Sequence, residues 1–311
     1  MTRIKFDIKA EDSKLLQLYE PNLKYINGYD FDNRTTRIDY EDVGTGCKVP
    51  VIRYNIFKDY SGIISGFSTR LGGVSKEHLA TMNLSFSRGD IPENVMTNHK
   101  LFSKALGYDH NKLVFSDQIH DVKIHKVTKN DIGKGITRES DIKGIDGLVT
   151  DVPGIPLITF YADCVPLYFY DPVKNVVAVA HSGWKGTVGK MGTVMIEYMS
   201  KEYGSKPEDI LCAIGPSICM DCYEVSEDVA EAFEEAYSKE QFDSMIYNKG
   251  NGKYQLNLHK ACYYNFVNAG VKEENIALPD LCTCCNSNIL FSHRATKGLR
   301  GNLGAVIMIK E

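Results

Sequence analysis

Two apolar segments of the chain each run directly into a chemically reactive side chain, and this arrangement constrains the fold more than any other feature. Residues 156–160 lead into Tyr161-Ala162-Asp163-Cys164-Val165-Pro166, and residues 175–180 lead into His181-Ser182-Gly183-Trp184-Lys185-Gly186-Thr187. Short apolar runs bounded by turn signals predict buried strands. We therefore expect a thiol and an imidazole at the ends of neighbouring strands. Metal sites and Cys–His nucleophile pairs are built in this way.

Composition and charge exclude several classes of protein. The 311 residues, 43% hydrophobic and 24% charged, suffice for a large core in one domain or two. The net charge is -4 and no Lys/Arg block occurs, which argues against a nucleic-acid partner. No apolar run reaches the roughly 20 residues of a membrane helix, and the N-terminus lacks a signal-peptide core. Nine cysteines, an odd number, predict a reduced cytoplasmic protein. The sequence leaves open whether it is a monomer or a homo-oligomer.

Two local groups of cysteines leave a structural zinc site open as a possibility. Cys219 and Cys222 are spaced C-x-x-C, and Cys282, Cys284 and Cys285 lie close together further along the chain. Together they offer enough thiolates for zinc, but the adjacency of Cys284 and Cys285 suits few tetrahedral geometries. The sequence therefore favours reduced thiols in half-buried loops.

The order of the predicted elements indicates an α/β or α+β domain built on a central sheet or two sheets. We interpret residues 1–48 as an N-terminal extension with short strands and residues 49–311 as the main domain. Helices are predicted at 92–106, at 187–203, from Ser226 onward and at 258–269, from their apolar spacing and terminal residues. Strands are predicted at 60–68, 114–115, 122–127, 210–214 and 305–309.

Residue chemistry suggests three metal ligands. His120, which follows a predicted strand, joins Cys164 and His181. Two imidazoles and one thiolate would leave a fourth position open for water or a substrate oxygen, as in a catalytic zinc site. Asp163 is a candidate general acid or base, a partner of a ligand, or a turn-stabilising carboxylate. A Cys164–His181 pair that works without a metal is an equal alternative.

Two cationic side chains are candidate contacts for an anion. Arg70 lies in the Gly-rich turn Thr69-Arg70-Leu71-Gly72-Gly73, where backbone N–H groups are exposed. Lys185 lies between Gly183 and Gly186, which would let the backbone approach a ligand closely. A structural ion pair for Arg70 and a solvated surface position for Lys185 are the alternatives.

A series of motifs in fixed order gives the chain a family resemblance. They are Thr69-Arg70-x-Gly72-Gly73-Val74-Ser75, Asn83-Leu84, Gln118-x-His120, Asp146-Gly147-Leu148-Val149-Thr150, Ala162-Asp163-Cys164-x-Pro166, His181-Ser182-Gly183-Trp184-Lys185-Gly186, Ile214-Gly215-Pro216-x-Ile218, Tyr223-Glu224-Val225 and Phe291-Ser292-His293-Arg294. Over roughly residues 60–310 the chain resembles the laccase-domain family, also called polyphenol oxidase-like. The family's usual Thr-Gly-Arg near the C-terminus is replaced here by Leu299-Arg300-Gly301, with Arg300 as the candidate substitute.

The resemblance implies a single main domain in which mixed sheets are sandwiched between helices. It implies a zinc ion held by His120, Cys164 and His181. The implied activity is phosphorolysis of adenosine, inosine, guanosine and methylthioadenosine to base and sugar 1-phosphate, accompanied by adenosine deamination. From the positions in the motifs we expect Cys164, Asp163 and His181 to be catalytic and Arg70 and Lys185 to contact substrate or phosphate.

Three other functions remain open. A copper-dependent polyphenol oxidase is possible because Cu²⁺ outcompetes Zn²⁺ at most such sites, although the chain has no His-x-His pair. A metal-free Cys-His hydrolase or deamidase requires a lowered pKa of the Cys164 thiol. A non-enzymatic binding protein is disfavoured by the coherent set of reactive residues.

Overall fold

The computed structural model describes residues 35–44 and 48–311, and this part of the chain holds fifteen strands and seven helices of four or more residues. The strands are β1 Thr36–Asp42, β2 Lys48–Tyr54, β3 Ile63–Ser68, β4 Val114–Phe115, β5 Ile124–Lys126, β6 Gly147–Thr150, β7 Leu157–Tyr161, β8 Val165–Asp171, β9 Val176–Ser182, β10 Leu211–Ile214, β11 Glu224–Ser226, β12 Ile246–Gly250, β13 Lys253–Leu256, β14 Ile276–Ala277 and β15 Leu303–Ile309. The helices are α1 Pro92–Leu106, α2 Trp184–Val188, α3 Met191–Tyr203, α4 Glu227–Ala236, α5 Lys239–Met245, α6 Leu258–Asn268 and α7 His293–Thr296. None of these described helices has the length and apolar character needed to cross a bilayer.

The strands form two six-stranded sheets and one small three-stranded sheet. Sheet A has the order β1-β2-β3-β15-β7-β4, sheet B the order β14-β10-β8-β9-β6-β5, and sheet C the order β11-β13-β12. Both large sheets are mixed, because β7 pairs antiparallel with β15 but parallel with β4, and β6 pairs antiparallel with β9 but parallel with β5. The chain passes from sheet A to sheet B at the short turn between β7 and β8, which therefore lies where the two sheets meet.

The two large sheets pack face to face, and helices cover their outer faces. Alternate residues of a strand point to opposite faces, so in β15 Ile307 joins the core between the sheets while Val306 packs with α1 on the outer side of sheet A. Met195 of α3 and Phe266 of α6 cover the outer face of sheet B, where they pack with Phe169. The predicted layered sandwich of mixed sheets flanked by helices is confirmed.

Most predicted helices and strands are confirmed in type, and two local predictions are wrong. Helix α1 has the predicted bounds and ends at Gly107, whose φ of 86° suits glycine. The single helix predicted at 187–203 is two helices, α2 and α3, because Lys190 adopts a left-handed conformation with φ of 64° between them. Strand β8 was not predicted, since its apolar residues follow the polar turn at Asp163 without a further turn signal.

Strand β1 comes from the predicted N-terminal extension. It pairs antiparallel with β2 along its whole length, with Ile38 opposite Ile52, and so forms the edge of sheet A. The remainder of the extension up to residue 34 lies outside the described residues. The domain boundary at residue 48 stays a prediction.

Candidate metal centre

The three predicted metal ligands meet beside the turn that joins the two large sheets. Cys164 lies between β7 and β8, His181 lies in β9 opposite Pro166 of β8, and His120 lies in the loop between β4 and β5. One ligand atom from each residue lies within 4.8 Å of the other two. The Cys164 Sγ is 3.9 Å from His120 Nε2, and the two imidazole rings are nearly perpendicular with centroids 4.8 Å apart. The structure therefore brings together three residues that are far apart in sequence.

Asp146 holds this cluster in place through hydrogen bonds. Its carboxylate is fully buried and accepts a hydrogen bond from His181 Nδ1 at 2.8 Å. The same carboxylate accepts the backbone N–H groups of Ile119, His120 and Asp121 at 3.0–3.1 Å. It thus fixes both the His181 ring, leaving Nε2 for a metal, and the loop that carries His120. A carboxylate behind a histidine ligand is a recurrent feature of zinc sites.

Sequence reasoning assigned no role to Asp146. The signal was present, because an aspartate stands immediately before the apolar segment 147–150, but its partners lie on other parts of the chain.

Two residues at the centre have left-handed backbone conformations. His120 has φ of 66° and Asp163, next to Cys164, has φ of 87°. Such conformations cost non-glycine residues about 1–3 kcal/mol and persist only where surrounding contacts enforce them. Asp146 holds the backbone of His120. The Asp163 carboxylate is held by Thr283 Oγ1 and by the backbone N–H of Arg294, both at 2.6 Å.

The electrostatics of the cluster favour a thiolate next to a charged imidazole. Burial raises the pKa of the Cys164 thiol, but the positive charge of His181 and hydrogen bonds from both histidines outweigh burial and lower that pKa to about 6. Burial lowers the pKa of His181, but the Cys164 thiolate and Asp146 raise it to about 9. In the protein without a metal, neutral pH therefore presents a deprotonated sulfur, the form in which cysteine binds metals.

Because Gly183 has no side chain, His120 and Cys164 can approach each other beside it. A Cβ atom at this position would lie 2.7 Å from His120 Cδ2 and 3.3 Å from Cys164 Sγ. The φ of Gly183 is -72°, which any residue adopts, so the requirement for glycine here is one of space.

We expect Gly183→Ala to lower metal affinity at least about tenfold, because the new methyl group displaces the His120 ring, and to cost about 1–3 kcal/mol of unfolding free energy through overpacking. Gly186→Ala is the matched control, since the nearest atom that its Cβ would meet is the carbonyl oxygen of His181, at 3.5 Å. Competition with a chromophoric chelator measures the affinity of both variants. Equal affinities would contradict the packing argument.

The cluster opens into a cavity of about 410 Å³ between the loops of sheet A. His120, Cys164 and His181 line one part of it, and Arg88 and Arg300 line another. The Nε atoms of both arginines are buried and have no hydrogen-bond partner among the described residues. Burial and the nearby charge of Arg88 lower the pKa of Arg300 to about 10. Two arginine side chains in one cavity wall form a site suited to an anion.

A third part of the cavity wall is aromatic. Phe86, Phe115 and Phe160 line it, and the rings of Phe115 and Phe160 pack edge to face with centroids 5.0 Å apart. Phe86 is 37% exposed and so presents a ring to the cavity. Such a surface suits a flat, apolar ring system.

The other predicted site residues lie outside the cavity lining. Arg70 donates hydrogen bonds to the carbonyl oxygens of Ala80 at 2.9 Å and Ser287 at 2.8 Å, and its guanidinium lies over the Phe291 ring. These contacts give Arg70 a structural role in joining two loops. Lys185 is exposed on α2, with its Nζ 5.6 Å from the centre of the Trp184 ring.

Asp163, as described, is engaged by Thr283 and Arg294, which matches the turn-stabilising alternative for this residue. The roles predicted for Arg70, Lys185 and Asp163 in substrate binding or catalysis stay predictions. Arg300, considered only as a substitute, lies in the cavity wall, whereas Arg88 was not singled out because nothing in the sequence distinguishes it from other surface arginines.

Comparison with known proteins identifies the family. Residues 64–310 match the family described as multi-copper polyphenol oxidoreductase laccase. The chain belongs to this family. Among its relatives is "Purine nucleoside phosphorylase YlmD" of Bacillus subtilis, 36% identical over 80% of this chain and 89% of the relative. Another is "Adenosine deaminase RL5" from an unknown prokaryotic organism, 34% identical over 74% of this chain and 88% of the relative.

Solved structures from this laccase family share the fold. The crystal structure of YlmD from Geobacillus stearothermophilus superimposes with a TM-score of 0.79 at 31% identity, covering 88% of this chain and 100% of that one. The Bacillus licheniformis protein YfiH, described as hypothetical, also gives a TM-score of 0.79, at 32% identity and with coverage of 91% and 100%. The family resemblance inferred from the motifs is confirmed.

Proposed function

We propose that this chain is a zinc-dependent purine nucleoside phosphorylase that also deaminates adenosine at the same site. The observation that carries the proposal is a single cavity lined by the His120–Cys164–His181 cluster, by an arginine pair and by aromatic rings. These three surfaces match the needs of a nucleoside and phosphate: a place for the base, a place for the anion and a metal near the bond that breaks. The names of the related proteins support the same assignment.

The three ligand residues fit a catalytic metal. Two imidazoles and a thiolate are a donor set that suits zinc and leaves room for a further ligand. Asp146 fixes the ring of His181, and the missing Cβ of Gly183 leaves His120 and Cys164 space to approach each other. A divalent ion bound there would act as a Lewis acid towards an oxygen of phosphate or substrate.

In the proposed phosphorolysis, Arg88 and Arg300 bind phosphate and orient one oxygen towards C1′ of the ribose. A bond forms between that oxygen and C1′ while the bond from C1′ to the purine nitrogen breaks. The electron pair of the broken bond goes to the base, which takes up the proton that phosphate gives up. The products are free base and ribose 1-phosphate, and the aromatic wall of Phe86 and Phe115 holds the base throughout.

The proposed deamination uses the same position of the base. Water adds to the ring carbon that bears the amino group, and ammonia leaves, so that adenosine becomes inosine. Because the cavity is open to solvent, we expect water to enter it in the presence as well as in the absence of phosphate.

Product chromatography tests the assignment. Purified zinc-containing protein is incubated with adenosine, with and without phosphate, beside Cys164→Ala protein prepared identically to exclude contaminating host enzymes. We expect adenine and ribose 1-phosphate only when phosphate is present, inosine in both conditions, and neither product from the variant. Intact adenosine in every sample, with zinc bound, would overturn the proposal.

A metal-free Cys-His hydrolase is the second candidate, and one observation favours it. Asp146 accepts a hydrogen bond from His181 Nδ1, and His181 in turn lies next to Cys164. The pKa of the Cys164 thiol is lowered to about 6. This is the arrangement of an activated cysteine nucleophile. Removal of zinc with a chelator separates the two functions: hydrolysis that survives in metal-free protein and stops after alkylation of Cys164 supports the hydrolase. Oxidation of phenols by copper-loaded protein would show only that these three residues can bind copper, because Cu²⁺ binds most such sites more tightly than Zn²⁺.

A further inference from the structure

Four cysteines outside the candidate metal centre converge at a second point. Cys219 and Cys222 follow β10, and Cys282 and Cys285 follow β14. Their sulfur atoms all lie within 4.8 Å of one another, with Sγ–Sγ distances of 3.4 Å for Cys222–Cys285 and 3.9 Å for Cys219–Cys285. In sequence they are two C-x-x-C pairs, and Cys284, whose adjacency to Cys285 argued against a zinc site, is not one of the four.

The loops that carry these cysteines direct two backbone N–H groups at one of the four sulfur atoms. The backbone N–H of Cys219 donates to Cys282 Sγ at 3.2 Å, and the backbone N–H of Cys285 donates to the same sulfur at 3.4 Å. A short parallel bridge between Ser217 and Cys282 holds the two loops side by side. Backbone N–H groups directed at a sulfur favour its charged form. The cluster is therefore prepared to hold a cation.

We propose that Cys219, Cys222, Cys282 and Cys285 bind a structural zinc ion. Four thiolates form a closed tetrahedral site without a position for substrate. Zn–S bonds of about 2.3 Å place the sulfurs of a tetrahedron about 3.8 Å apart, close to the shorter separations seen here. A disulfide requires sulfurs about 2.05 Å apart, much less than either distance.

This zinc ion supports the candidate metal centre through Thr283, which lies between the two cysteines of its loop. The Thr283 hydroxyl donates to the Asp163 carboxylate at 2.6 Å, and its N–H donates to the carbonyl of Ser217 at 3.1 Å. The N–H of Ile218 donates to the carbonyl of Asp163 at 3.0 Å. The four-cysteine site thus holds the left-handed Asp163 and, with it, the adjacent Cys164. The proposed role of the four-cysteine site is therefore to position these two residues.

Elemental analysis of purified protein tests the proposal independently of any enzymatic activity. We expect two zinc ions per chain in the wild type and in the control variant Cys284→Ser. We expect one ion in Cys222→Ser and one in Cys164→Ala, each lost from a different site. Cobalt loaded into Cys164→Ala should give a thiolate-to-cobalt absorption band that the added Cys222→Ser change abolishes. A single wild-type zinc that is lost in Cys164→Ala, two ions in Cys222→Ser, or iron in place of zinc would overturn the assignment.

Alkylation of the wild type covers the case in which Cys222→Ser fails to fold. Cys222, Cys284 and Cys285 are all partly exposed. We expect iodoacetamide to modify Cys284 in the native protein while Cys222 and Cys285 stay protected until a chelator removes the metal. Equal modification of all three before chelation, or a Cys222–Cys285 disulfide found by mass spectrometry, would contradict the zinc site.

The positioning role has its own measurement. Loss of the second ion in Cys222→Ser should weaken zinc binding at His120, Cys164 and His181 about tenfold or more, whereas Cys284→Ser should leave it unchanged. An unchanged affinity in Cys222→Ser would show that the four-cysteine site does not act on Asp163.

Discussion

Cys164→Ala should lose both the metal ion held at His120, Cys164 and His181 and the proposed phosphorolysis. Alteration of residues behind a metal ligand costs about 10–100-fold in affinity or activity, so removal of the thiolate itself should cost at least about a hundredfold. The variant should nevertheless fold, because Cys164 is partly exposed and lies at the cavity wall. Zinc content after dialysis and adenine release in phosphate measure the two losses.

Cys212→Ala is the control for removal of a thiol. Cys212 is fully buried in β10, in the core between sheet B and the helices. We expect this variant to lose about 1 kcal/mol of unfolding free energy while keeping metal and turnover. A Cys164→Ala protein with as much zinc as the wild type and full turnover would rule out the assigned role of Cys164.

Asp146→Asn should weaken the metal centre and the fold together. The carboxylate accepts from three backbone N–H groups and from His181, and an amide of the same shape has only one oxygen to offer. We expect metal affinity to fall about 10–100-fold and the unfolding free energy of the metal-free protein to fall by about 3 kcal/mol. Chelator competition and denaturant titration measure these two changes.

Asp171→Asn is the matched control. Asp171 is also fully buried, and it accepts the backbone N–H groups of Val173 and Lys174 at the far end of β8. Its replacement should destabilise the fold without changing metal affinity. If the two variants show the same loss of metal affinity, the effect of Asp146 is general destabilisation and its role behind His181 is wrong.

The stability that the Asp146–His181 pair gives to metal-free protein should have a pH window. Burial raises the pKa of Asp146, but hydrogen bonds from His181 and from the backbone N–H groups of Asp121 and Ile119 hold this pKa below its usual value. The stabilising contribution of Asp146 is therefore present above about pH 4 and is lost in acid. The pKa of His181 is raised to about 9, so its contribution is full below about pH 6.5 and is lost as the pH rises through 9. The difference between wild type and Asp146→Asn should therefore be largest between about pH 4 and 6.5.

The convergence of Cys164 and His181 was predictable because each of them adjoins a recognisable strand. Cys164 and His181 follow apolar segments, and their reactive side chains stand where buried strands end. The helix bounds of α1 were predictable for a similar local reason, since proline and glycine mark its two ends.

What could not be predicted depends on contacts between distant segments. Asp146 contacts the loop of His120 only because that loop folds over it, and Arg88 becomes a candidate anion contact only because Arg300 lines the same cavity. The break between α2 and α3 depends on the left-handed conformation of Lys190, a residue that has no sequence preference for it. The four-cysteine cluster was underrated because the pairing of two loops, and not local spacing, selects Cys285 over Cys284.

The central place of β15 in sheet A has a consequence for biosynthesis. Val306 pairs with Gly66 on one side and with Ile158 on the other, so β15 fills the gap between two strands that the ribosome releases much earlier. Until residue 309 has emerged, β3 and β7 each have an unpaired edge, which favours association with other chains. Sheet A therefore closes only after all its other strands have been synthesised. Nascent chains halted before residue 303 should be aggregation-prone substrates for molecular chaperones.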